Sequence, residues 1–324
     1  MRIPGFGRYV LGCVAAAMLT GCGGSQPPIA AQGAMPQSWV TATHTDRGKS
    51  WMLPEAKSGD LIYAAGGCDA VCVFSYPKGE LVGSLTLTGA VRGDCSDSAG
   101  DVFITNDYQV LEYAHGATSP SQTLSVPGGQ ASACAIDPVT GNLAVVVNDG
   151  DKNIAIYPDA QGTPALYSSH LTSVACGYDN AANLFVSGVG RSANAISELP
   201  NGASDFSVLS VGGELGNPGQ VQWDGKHITY EGLSHRNIRV SRLKISASSA
   251  TIVGTTRFGG AIQNAYLSGI FGDEILIPYS IRGFQTHQIG LWAYPKGGKQ
   301  LSKMQPFSDS KLAIFRGVTV SVSE

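Results

Sequence analysis

Reactive side chains are sparse in this 324-residue chain, and cysteine comes first among them: Cys13, Cys22, Cys68, Cys72, Cys95, Cys134 and Cys176. Cys68 and Cys72 flank the short turn Gly67-Cys68-Asp69-Ala70-Val71-Cys72, a spacing that allows a disulfide across a hairpin end. A Cys-x3-Cys metal site would need two further ligands close by, and the neighbouring sequence offers none. Cys95, Cys134 and Cys176 each stand just before an Asp. One residue separates Cys95 from Asp97, whereas two separate Cys134 from Asp137 and Cys176 from Asp179. On extended strands an offset of one turns a side chain to the other face, so the three need not point the same way. No His or Lys adjoins them to support redox or metal chemistry. They are expected as small apolar residues where strands crowd together.

The six histidines, His44, His115, His170, His227, His235 and His287, show no His-x-His or His-Glu-x-x-His spacing. His115 falls in a turn and is expected to be solvated. There is no Gly-x-Ser-x-Gly elbow, no P-loop and no Gly-x-Gly-x-x-Gly after a strand. Strings such as Cys95-Ser96-Asp97-Ser98 read as turn chemistry. The residues therefore predict no catalytic group, no resident metal and no cofactor.

The elements that must carry these residues are short strands. Ala90 to Gly129 holds four runs of about six residues, each followed by turn residues, which is the plan of one β-propeller blade. The pattern recurs, marked at the turn after each third strand by Tyr76, Tyr113, Tyr157, Leu199, Leu243 and Tyr294, 37 to 51 residues apart. Six blades follow. Blade one lacks its first strand, and Gly317 to Glu324 alternates like a strand without a blade of its own. The ring is expected to close by pairing the two, which removes exposed sheet edges. Hydrophobic residues at 43% suffice for a core, and 42 glycines supply turns. With 14% charged residues, a net charge of −3 and no basic block, nucleic acid is excluded as a partner. The ring is expected to be a monomer.

Residues 1–21 carry Arg2 and Arg8 and then an apolar run from Tyr9 to Leu19, the layout of a secretory signal and too short for a comfortable membrane span. Leu19-Thr20-Gly21-Cys22 resembles the bacterial lipobox. That resemblance implies acylation of Cys22 and a membrane anchor in the cell envelope, at the outer membrane of a Gram-negative host because Gly23 rather than Asp follows. Residues 22–57 then comprise the lipidated Cys, an uncharged tether rich in Gly, Ser, Pro, Ala and Gln, and an apolar strap with Trp39, Trp51, Met52 and Leu53. Residues 58–324 form the propeller.

Within that span the repeats D-x-x-G-x-[LV]-x-[VI]-x-N and [LIV]-x-x-Y-x-x-G resemble those of bacterial NHL and YVTN-type propellers, a superfamily that includes regucalcin-like lactonases. The lactonase likeness implies a divalent metal held in the channel by Glu, Asn and Asp. The positions that match are Asn106, Asn148 and Glu231, each ending a second strand. Where those enzymes carry an early Glu, this chain has Ala64-Ala65-Gly66-Gly67. The reading is accordingly a non-catalytic, membrane-anchored binding platform for a protein or small ligand at the propeller mouth. Arg92, Asn106, Asn148, Glu231 and Arg282 are its candidate ligand contacts. A metal-dependent lactonase and a scaffold subunit of a cell-envelope assembly are the alternatives.

Overall fold

The computed structural model describes residues 48–148, 150–234, 237–260, 262, 264–281, 286–304 and 314–323. The expectations for residues 1–47, Cys22 included, lie outside them. Alternating and fully apolar runs become strands, and Gly, Asp and Pro clusters become the turns between them. Blade one holds β1 (Trp51–Met52), β2 (Leu61–Ala65), β3 (Val71–Ser75) and β4 (Leu81–Leu85). Blade two holds β5 (Val91–Ser96), β6 (Val102–Asn106), β7 (Gln109–Tyr113) and β8 (Gln122–Ser125). Blade three holds β9 (Gln130–Ile136), β10 (Leu143–Asn148), β11 (Ile154–Tyr157) and β12 (Ala165–Tyr167). Blade four holds β13 (Thr172–Tyr178), β14 (Leu184–Val189), β15 (Asn194–Leu199) and β16 (Ser207–Val208). Blade five holds β17 (Ser210–Gly212), β18 (Asn217–Trp223), β19 (Ile228–Ser234), β20 (Asn237–Ser246) and β21 (Ser249–Arg257). Blade six holds β22 (Asn264–Ala265), β23 (Gly269–Phe271), β24 (Glu274–Ile281), β25 (Thr286–Ala293) and β26 (Ser302–Met304).

The closing strand β27 (Gly317–Ser321) pairs antiparallel with β2, Ala65 facing Gly317 and Leu61 facing Ser321. The ring is thus a six-bladed, all-β propeller closed by its C-terminal strand. β1 lies on the outer edge of blade one against β4. β17 covers the outer edge of blade five as a parallel strand. The turn after β20 falls at Ala247–Ser248, and Leu243 sits inside the strand opposite Ile228, so the fifth turn marker was misplaced. The long β20–β21 hairpin stretches the period there.

The recurring Asp of each repeat is a turn cap. Asp97 Oδ1 accepts from the Ala99 and Asp101 amides, Asp179 Oδ1 from Ala181 and Asn183, and Asp224 Oδ1 from Lys226 and His227. Each carboxylate meets amides that a tight turn leaves without strand partners. The recurring Tyr is a clasp between blades. Tyr294 donates to Asp224 Oδ2 of blade five at 2.8 Å, Tyr76 donates to Glu274 of blade six, and Tyr157 donates to Ser125 O of blade two at 2.8 Å.

Inner strands meet side by side around the axis. Asp94, Cys134 and Cys176 share one register position, opposite Ile104, Val145 and Val186. They face back into the preceding blade. Cys95 is one step on and faces forward, like Ala135 in blade three. Cys95 therefore meets Cys134, and the two form an inter-blade disulfide with a Cα separation of 5.7 Å. This corrects the expectation of three packed small residues: the one-residue offset turns one Cys toward another. Cys176 remains a free, buried thiol against Ala144, the strand partner of Ala135. Cys68 and Cys72 are also bonded.

Cys176 thus stands to Ala135 as Cys134 stands to Cys95. In an Ala135→Cys variant, a non-reduced digest should contain the new thiol joined to Cys176, with stability raised by about 2–4 kcal/mol. Mass spectrometry that finds Cys176 still free in oxidised protein would show that its side chain points elsewhere.

Candidate functional site: the propeller mouth

Antiparallel pairing places the C-terminal ends of β6, β10, β14 and β19 at one end of the ring, the mouth, together with the chain entering each inner strand. Arg92 lies at that end of β5, in a bulge between Val91 and Gly93. Its Nη2 donates to Gln130 Oε1 of blade three at 2.8 Å, and its Nε is buried with no acceptor. Gln130 faces Asn148 across β9 and β10, and Asn106 faces Val91 across β5 and β6. Arg92 and Gln130 therefore meet at the corner between blades two and three, whereas Asn106 lies on the face of β6 that Val102 and Ile104 turn toward blade one, and Asn148 on the face of β10 that Ala144 and Val146 turn toward blade four. Gln130 was missed in the sequence, where a polar residue opening an inner strand carries no periodic signal. Asn106 is 1% exposed and its Nδ2 donates to Thr88 O at 2.9 Å, so it holds the incoming chain.

Glu231 belongs to the opposite side of the ring. Its Oε2 accepts from Ser268 Oγ at 2.6 Å and from the Ser268 amide at 3.3 Å, joining blade five to blade six. Burial pushes its carboxyl up to about 7, against the hydrogen bonds from Ser268 and the Gln220 amide. A hydroxyl beside such a carboxylate is the chemistry of an activated nucleophile. Ser268, however, is 2% exposed and also lies 3.3 Å from Gln222 Nε2, so the pair acts as an internal brace. Asp94 is a second buried carboxyl, held well above its ordinary value by burial; its Oδ2 accepts from the Ala65 amide and its Oδ1 has no donor. Arg282 lies outside the described residues.

The axis itself is narrowed. Leu267 of blade six packs against the cluster that contains Ala133 and Ala175 of blades three and four. A Cβ on Gly93 of blade two would lie 3.5 Å from Leu267 Cδ1. Among the described residues no group of three or more His, Cys, Asp and Glu side chains converges as metal ligands do. Asn106 and Glu231 are spent on separate structural bonds. Both observations weigh against a channel-bound metal.

Two hollows lie off the axis. One, of about 320 Å³ between blades two and three at the end away from the mouth, has Phe103 and Ile136 as its floor and Asp97, Glu112, Asp137 and Asp159 around it. The Asp97 and Asp137 carboxylates are already occupied by their turns. The other is an open groove of about 680 Å³ at the mouth between Val189–Asn194 and Gly213–Leu215. His115 corrects an expectation: it is not a solvated turn residue, because its Nδ1 lies 2.7 Å from Ser321 Oγ and ties blade two to the closing strand. Among the described residues no helix is long and apolar enough to cross a membrane.

The ring is that of a six-bladed propeller, and solved structures agree. It is similar to a chain from the nidogen/laminin complex, with TM-score 0.64 and 14% identity over 82% of this chain and all of that one. It is similar to a protein of unknown function from Bacteroides caccae, with TM-score 0.61 and 12% identity over 82% of this chain and all of that one. A putative TolB from Agrobacterium tumefaciens gives TM-score 0.58 and 12% identity over 82% of this chain and 99% of that one. At these identities the likeness shows the fold alone. No protein-family model and no curated protein matches the chain.

The Glu231 carboxyl sets a pH dependence. Its folded value is raised above the ordinary 4.5, so its contribution to stability is full below that value and is lost as pH rises through about 7. The wild-type protein should lose on the order of 3 kcal/mol between pH 4.5 and pH 8 from this group. Glu231→Gln should flatten that slope in urea melts, and an unchanged slope would place the titration on another residue.

Proposed function

We propose that this protein is a lipid-anchored, extracytoplasmic propeller that binds a partner or ligand at its mouth and performs no chemistry. The observation that carries the reading is the packing of Leu267 against the inner strands of blades two, three and four, which narrows the channel where a lactonase-like ring would need its metal and leaves the rim for recognition. The two disulfides support an oxidising compartment, in keeping with the signal-like N-terminus. The NHL or YVTN character of the repeats rests on their sequence form, and so do the anchor at Cys22 and the cell-envelope address. The bonds made by Asn106 and Glu231 argue against the lactonase alternative.

Two measurements test this. Cys22→Ser should move the protein from the detergent phase to the aqueous phase after membrane extraction; unchanged partition would remove the anchor from the proposal. A panel of aliphatic and sugar lactones with calcium, manganese or zinc should show no turnover above background. Saturable turnover that Glu231→Gln abolishes would place the protein among the hydrolases.

A further inference from the structure

We infer that the corner of the mouth between blades two and three binds a carboxylate, gripped by the Arg92 guanidinium with the side-chain amide of Gln130 beside it. This deepens the platform reading and rests on it. The chain offers Arg92 a single hydrogen-bonding partner among the described residues, and that partner is a neutral amide oxygen. The two ion pairs among the described residues are both His–Asp pairs elsewhere, at His170 and His227. A guanidinium that is partly withdrawn from water and has no counter-ion is unfavourable unless a ligand supplies the charge. The buried Nε without an acceptor shows that the withdrawal is real at the atom nearest the backbone.

The remaining geometry selects the sign and shape of the ligand. Because Gln130 Oε1 accepts from Arg92, the Gln130 amide nitrogen must point away from it, as a donor. The corner thus presents guanidinium N–H groups and amide N–H groups together, a donor set that matches an acceptor-only ligand. The guanidinium fork is planar and fits the two oxygens of a carboxylate in one plane. A single positive charge beside a neutral amide balances a monoanion, whereas a phosphate dianion would be left under-neutralised. Leu267 and the Gly93 backbone narrow the axis below, so the ligand enters from the mouth and its remainder stays toward solvent.

A carboxylate can come from a small organic acid or from the free C-terminus of a peptide, and the probes separate them. Calorimetric titration of the full chain in detergent would use acetate, galacturonate, and a short peptide with a free C-terminus. Galactose, the C-terminally amidated peptide and inorganic phosphate are the counterparts. At least one carboxylate should bind saturably, and its neutral counterpart and phosphate should not. Arg92→Gln should weaken that binding at least tenfold, and Arg92→Lys, which keeps the charge and loses the fork, should weaken it less. Gln130→Ala should weaken it several-fold, and Arg191→Gln, in the exposed turn of blade four, should leave it unchanged. Melting curves without ligand check that each variant is folded. The inference is overturned if no carboxylate binds the wild type, if folded Arg92→Gln or Arg92→Lys binds as tightly as the wild type, or if phosphate binds as well as the carboxylate. Loss of carboxylate binding with normal membrane partition would fail this site and leave the platform reading standing.

Discussion

Six inner strands must share one narrow axis, and the side chains between them have to be small. A Cβ on Gly177 would stand 2.2 Å from Val221 O, and one on Gly269 would stand 2.7 Å from Val318 O. Such contacts leave no room for a branched residue, so the inner strands carry Gly, Ala, Ser and Cys at these levels. Bulk moves outward, to Tyr63, Phe74, Tyr157, Phe185 and Trp292 on the second and third strands. Crowding also fixes direction. A residue facing forward from one inner strand meets a residue facing back from the next, and the Cys95–Cys134 bond is the covalent form of that meeting. Between blades five and six, Gln222 makes the same junction with hydrogen bonds to Ser268 and Ile270.

Legibility in the sequence followed repetition. The turn Asp and the turn-marking Tyr could be read because they recur from blade to blade, and closure could be read because β27 had the period of a strand and blade one lacked its first; that Tyr76, Tyr157 and Tyr294 also clasp neighbouring blades could not be read. What failed depended on register between blades. The offset between Cys95 and the other two cysteines was visible, but that a forward-facing Cys in blade two lies against a back-facing Cys in blade three follows only from the side-by-side inner strands. Leu243 was misplaced because β20 runs to Ser246, and β22 and β23 split one inner strand in two, so local length broke the period. His115 was misread because its partner, Ser321, lies 206 residues away on the closing strand.

The mouth was legible in the same uneven way. Strand ends pointed to Asn106, Asn148 and Glu231, and the structure puts Asn106 and Asn148 at second-strand ends, whereas β19 runs on to Ser234 and leaves Glu231 inside the strand opposite Val240. It does not bring them to one point. Glu231 is spent on Ser268, 37 residues away in the next blade, and Asn106 on Thr88. An Asn or Glu at a strand end is thus as often a mason's tie as a ligand, and sequence alone does not separate the two because both need a polar group at the same turn. Arg92 differs in kind. A bulge frees it from the strand register, and its guanidinium spans to the next blade without meeting a carboxylate.

The narrowed axis and the unpaired guanidinium belong to one arrangement. With Leu267 seated against blades three and four, the inner strands are held from within by apolar contact and need no bound ion at the centre. Charge is then free to be used at the rim. Several buried or half-buried polar groups hold blades together: Glu231 to Ser268, Asp94 to Ala65, Ser96 to Thr319. Arg92 links blades two and three only through Gln130, a junction the neighbouring Cys95–Cys134 bond already secures. A neutral side chain could make that contact without withdrawing a charge from water. The charge is therefore surplus to the fold, and the rim of the mouth is where such a surplus can meet something from outside.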